Sequence, residues 1–65
     1  MNAYERMIDL ISHESANGDK RGWDQEQVIL RIREIEIDHW ADPDYPDMTI
    51  LSYAECQRIA EAVLA

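Results

Sequence analysis

The sequence predicts an all-α fold, a small three-helix domain with an acidic, proline-containing loop before the last helix. Three observations predict it. Residues suited to capping a helix stand at Asn2, Asp24 and Ser52, each followed three places later by Glu5, Gln27 or Glu55. Behind each cap, apolar residues recur at three- and four-residue spacing. Between these segments lie the helix-ending stretches Asn17-Gly18 and Asp42-Pro43-Asp44-Tyr45-Pro46-Asp47. Helices are therefore expected at roughly 2–16, 24–40 and 52–64, in one domain covering the whole chain.

In the first segment Tyr4, Met7, Ile8 and Ile11 share a face with Leu10 at its edge, leaving Glu5, Arg6, Asp9, Ser12 and His13 outside. Asn-Gly then supplies a left-handed stop. The following loop contains Lys20-Arg21, the only adjacent basic pair, which is too little charge for a nucleic-acid patch. The second segment opens with Asp24 as cap and Trp23 placed to staple onto Val28. Val28, Ile32 and Ile35 form one face, Ile29 and Trp40 a second, and Leu30 with Ile37 a third. An apolar arc this broad predicts a helix contacted on more than one side, and its uncovered part would be a natural dimer seam or partner site. The same residues admit an α+β alternative, because Leu30, Ile32, Ile35 and Ile37 alternate with charged residues as a half-buried strand over 28–37 would. The alternation breaks phase between Ile32 and Ile35, which a strand absorbs only with a bulge.

Two prolines make the 42–47 connector stiff and bias Asp42 and Tyr45 towards extended backbone. Residues Met48 to Leu51 are expected to continue it across the core. In the third helix Tyr53, Cys56, Ile59, Ala60, Val63 and Leu64 form a narrow apolar stripe, with Leu51 stapling onto Cys56. The expected core comprises Met7, Ile8, Ile11, Val28, Ile32, Ile35, Ile59, Ala60 and Val63.

Composition narrows the function. With 65 residues and 46% hydrophobic content the chain can fold, but its core is small, and its single cysteine allows no internal disulfide. No secretory leader is read from the sequence, and no apolar run approaches the ~20 residues of a membrane span, so a cytoplasmic location is expected. A net charge of -8 disfavours direct contact with nucleic acid or anionic membrane and favours a basic partner. No catalytic signature is present, so no enzyme is expected. No cofactor or metal site is expected either: Asp42-Pro43-Asp44-Tyr45-Pro46-Asp47 lacks the glycine and terminal glutamate of a calcium loop, and His13, His39 and Cys56 lack metal-ligand spacing. Ile50 to Ala65 passes for the first helix of a helix-turn-helix, but this helix carries only Arg58 as a base, so DNA binding by it is not expected.

Charge distribution carries the functional expectation. From Glu34 to Gln57 the chain has acids at Glu34, Glu36, Asp38, Asp42, Asp44, Asp47 and Glu55 and no Lys or Arg. Carboxylates on a helix and a stiff loop resemble spaced phosphates, and Trp40 and Tyr45 supply amphipathic anchors. The expected partner-binding residues are Glu34, Glu36, Asp38, Trp40, Asp42, Asp44, Tyr45 and Asp47. The expected function is a non-enzymatic inhibitor or regulator of a basic, nucleic-acid-handling protein, with nucleic-acid mimicry as one mode. In size, charge and lack of catalytic residues the chain resembles the small acidic inhibitors of phages and mobile elements, such as anti-restriction and anti-CRISPR proteins. The alternatives are a self-associating assembly module, here a homodimer, or an antitoxin-like regulatory partner docked through apolar contacts.

Overall fold

A computed structural model describes residues 2–17, 23–46 and 48–65 and forms three helices: α1 (Ala3–Asn17), α2 (Gln25–Asp38) and α3 (Tyr53–Leu64). The all-α expectation is met, and no strand occurs among the described residues. The α+β alternative is overturned, since residues 28–37 lie wholly within α2. Its alternation gives way to a helical face because Val28, Ile32 and Ile35, spaced by four and three, all turn inward and are buried. The Gly18 stop, the Lys20-Arg21 loop and Asp47 lie outside the described residues.

The starts of all the helices follow the sequence. Asn2 Oδ1 accepts the Glu5 backbone N–H at 2.8 Å, and Asp24 Oδ1 accepts that of Gln27 at 2.9 Å. At α3 the capping box is complete: Ser52 Oγ accepts the Glu55 N–H, and the Glu55 carboxylate accepts the Ser52 N–H. Each cap satisfies backbone donors that the first turn leaves without helical partners.

The end of α2 differs from expectation. The helix stops at Asp38 with His39 as its C-cap, two residues short of Trp40, and Ala41 adopts a left-handed φ of 61°. This reversal lets the chain leave the helix before the first proline, through successive tight bonds from Asp42 N to His39 O, Tyr45 N to Asp42 O and Met48 N to Tyr45 O. Trp40 therefore sits in a turn and not on a helical face.

The core lies among the three helices and beneath the connector. Met7 and Ile11 come from α1, Val28, Ile32 and Ile35 from α2, and Cys56, Ile59, Ala60 and Val63 from α3. Met48 and Leu51 close it from the connector. Ile8 departs from expectation by being only partly buried against this cluster. Tyr53 and Leu64 are exposed, because both lie on the same edge of the α3 stripe, beyond Ala60. Burial pushes the Cys56 thiol above its ordinary range, as befits a sulfur packed like a small hydrophobe.

Ion pairs fasten α2 on both flanks. Towards α1, Arg31 grips Glu14 through two bonds, Nε to Oε2 at 2.8 Å and Nη2 to Oε1 at 2.6 Å. Towards the connector, Arg33 Nη1 donates at 2.9 Å both to Glu36 Oε1 and to the Leu51 carbonyl. Glu36 Oε2 in turn accepts the Leu51 N–H at 2.8 Å. Both polar groups of one peptide segment are thus tied to a helix, which fixes the path of residues 48–52 along α2.

Candidate docking face

The site is built where that tied segment passes the C-terminal end of α2. Ile37, Trp40 and Ile50 converge there, with the stems of Arg33 and Glu36 as the remaining wall, around an open hollow of about 470 Å³. These three large apolar side chains are 75%, 61% and 68% exposed. Leu30, half-exposed, extends the same ridge two turns back along α2. On its other side Trp40 walls a second hollow of about 410 Å³, completed by Ala41, Asp42, Pro43, Tyr45, Pro46 and Met48. The indole therefore stands between two depressions.

Each element has a local cause. Ile37 points away from the core because Ile32 and Ile35 have already claimed the inward side, and a residue two places past Ile35 lies about 200° round the helix. Trp40 is set outward by the early end of α2 and the left-handed turn at Ala41. Ile50 faces outward because the buried residues on either side of it, Met48 and Leu51, hold the segment inward.

The eight residues expected to bind a partner separate into distinct groups. Glu34, Asp38, Trp40 and Asp44 are exposed, and Asp42 is partly so. Glu36 must be corrected: it is only 4% exposed, and both its oxygens are used inside the domain. An acidic residue in an acidic stretch of sequence has become a structural acceptor because the Leu51 N–H and the Arg33 guanidinium need one. Tyr45 also departs from the free anchor expected. Its ring is partly buried, 4.1 Å between centroids from His39, and the Arg6 guanidinium lies 5.4 Å over it. It fastens the connector to α1. Asp47 lies outside the described residues.

The stretch without Lys or Arg in sequence does not stay so in space. Arg31 reaches Glu34 at 3.4 Å, Arg33 reaches Glu36, and His39 Nδ1 lies 3.3 Å from Asp42 Oδ2. Asp42 is held below the usual carboxylate range, first by the Asp44 backbone N–H and then by His39. Glu55 is lowered by the Ser52 N–H of its capping box and belongs to the helix start. Among the described residues, the carboxylates of this stretch left at the surface are Glu34 and Asp38 on α2 and Asp42 and Asp44 beyond its end, with Asp42 lining the second hollow.

Ile37 and Ile50 are not among the eight expected partner-binding residues, although Ile37 belongs to the apolar arc whose uncovered part was expected to be a seam or partner site. Ile37 carried a signal, since it stands seven residues after Leu30 and opposite Ile32. Ile50 carried none, because its exposure depends on where Leu51 is tied.

A third hollow, of about 320 Å³, lies between α1 and α2 and is lined by Asp9, His13, Glu14, Arg31, Asp38 and His39 among others. Among the described residues no group of three or more His, Cys, Asp or Glu is placed to hold a metal ion, and no helix is long and apolar enough to cross a membrane. No protein-family model, no curated protein and no solved structure matches this chain.

Proposed function

We propose that this protein is a non-enzymatic binding module that docks a basic protein on the Ile37–Trp40–Ile50 face and thereby blocks or regulates a nucleic-acid-handling partner. The observation that carries the reading is the clustering of three largely exposed apolar side chains beside four surface carboxylates. A domain this small has few large apolar residues, and leaving three together in water is costly unless something covers them. An apolar centre containing a Trp, with a charged rim, is the anatomy of a protein–protein interface. The sign of the rim and the net charge of -8 favour a partner rich in Lys and Arg.

The withdrawal of Glu36 and Glu55 bears on the mode of recognition. Among the described residues, a phosphate-like row would have to rest on Glu34, Asp38, Asp42 and Asp44, and these stand near an apolar centre. Apolar docking steered by charge therefore suits the surface better than full nucleic-acid mimicry.

The test is capture by the immobilised protein from lysate of the source organism, with captured proteins identified by mass spectrometry. Wild type is compared with Ile37→Ser and with an Asp38→Asn, Asp42→Asn, Asp44→Asn triple variant. The expected result is one basic nucleic-acid-binding protein, displaced by excess DNA and lost with Ile37→Ser. A partner retained by both variants, or one indifferent to DNA, would overturn the reading.

A further inference from the structure

We infer that the partner element seated in the Ile37–Trp40–Ile50 groove is a cationic amphipathic helix lying along α2; this rests on the reading of that face as the docking surface. Four observations lead to it. The first concerns the backbone. The described residues contain no strand, so the groove offers no sheet edge to an extended peptide. The Leu51 N–H and carbonyl beside it are already bonded to Glu36 and Arg33. A helix satisfies its own peptide groups internally and so needs none from this surface.

The second is shape. Leu30 and Ile37 form a ridge ~10 Å long along the helix axis, and Ile50 stands across a hollow from its far end. A ridge beside a groove is how one helix receives another, at an axial separation of roughly 8–10 Å. The third is the charge pattern. Glu34 and Asp38 stand one turn apart on the flank of the ridge away from Ile50, and Asp42 and Asp44 continue beyond the helix end. Basic side chains spaced by one turn on the incoming helix meet that flank while an apolar one enters the hollow. The carbonyl end of the α2 dipole points the same way.

The fourth observation weighs against a second copy. The chain carries a net charge of -8, so another copy brings like net charge to a face beside which Glu34, Asp38 and Asp44 are exposed. A Lys- or Arg-bearing helix removes that repulsion and supplies the missing apolar cover.

The probes are two synthetic leucine–lysine peptides of identical composition, one patterned as an amphipathic helix and the other scrambled so that no apolar face forms. Each is titrated into the intact protein by calorimetry, with backbone amide NMR shifts locating the contact. The patterned peptide should bind about tenfold more tightly than the scrambled one and shift the amides of Ile37, Trp40 and Ile50. Ile37→Ser should remove about tenfold of that affinity. Glu34→Gln with Asp38→Asn should flatten its salt dependence. Equal binding of both peptides, unaffected by Ile37→Ser, would overturn the inference in favour of charge alone. So would a concentration-dependent dimer that Ile37→Ser dissociates. If lysate capture is lost with Ile37→Ser while the patterned peptide does not bind, the docking face stands and the helical occupant falls.

Discussion

On one side of α2, Val28, Ile32 and Ile35 are at most 3% exposed; on the other, Leu30 and Ile37 are 52% and 75% exposed. Both sides consist of branched aliphatic residues on the same fourteen-residue helix. Composition does not distinguish them, and what does is the number of neighbours available. Two short helices and a connector can cover the inward side and both flanks, through Arg31–Glu14 on one and Arg33–Glu36–Leu51 on the other. Among the described residues nothing is left to cover the outward side. The inward residues hold the fold together, whereas the outward ones contribute little to it and remain free to contact something else.

The comparison breaks most visibly at Ile32. Ile32→Ala removes fully buried volume and should cost about 3 kcal/mol in urea unfolding, a large share of the stability of so small a domain. A loss below about 1 kcal/mol would mean that the inward face is not the core it is taken to be. The next largest effect is expected at Glu36. Glu36→Ala strands the Leu51 N–H, leaves Arg33 Nη1 only the Leu51 carbonyl and should cost about 2 kcal/mol. Glu36→Gln retains one acceptor oxygen and should fall between wild type and Glu36→Ala. Amide exchange at Leu51 should accelerate in both.

These two residues also mark what was legible in the sequence. The inward face was, because its four- and three-residue spacing is a local property of the helix, as are the caps at Asn2, Asp24 and Ser52. Glu36 was not. Its neighbours in sequence, Glu34 and Asp38, are surface carboxylates, and only the path of the connector brings the Leu51 N–H to Glu36 and not to them. The same path places Ile50 outward, so half of the hollow was invisible until residues 48–52 were positioned. Trp40 was identified as an anchor but assigned to a helix, since no glycine announces the left-handed turn at Ala41.

That turn gives the third prediction. An alanine at φ 61° carries steric strain that glycine lacks. Ala41→Gly should therefore raise stability by about 0.5–1 kcal/mol, the glycine's extra freedom in the unfolded chain offsetting part of the relief. Thermal unfolding measures it, and a fall in the midpoint would contradict a relaxed left-handed turn. A smaller effect is expected at Glu14, which the Arg31 guanidinium holds below its ordinary 4.5. A carboxyl lowered in the folded state contributes stability above its unfolded pKa and loses it as pH falls through the folded value. Because the pair is about a third exposed, solvent screening limits Glu14→Gln to about 0.5 kcal/mol at neutral pH. The difference from wild type should vanish in acid; if it persists unchanged below the carboxylate range, the loss comes from packing and not from charge.

The smallest effect is the sharpest test of the two-faced helix. Ile37→Ser alters the same residue type as Ile32→Ala, on the same helix, five positions away, yet it should change stability by no more than about 0.5 kcal/mol. Its side chain is already three-quarters in water, so little transfer energy is lost, and the hollow it borders is open, so no cavity is created. Urea unfolding of the free protein with a midpoint close to wild type would leave Ile37 without a role in holding the domain together. A loss approaching that of Ile32→Ala would show the outward face to be covered in the free protein, and repeating the unfolding at several protein concentrations would identify the cover. A concentration-dependent midpoint would point to a second copy, and a constant one to contacts made within the chain.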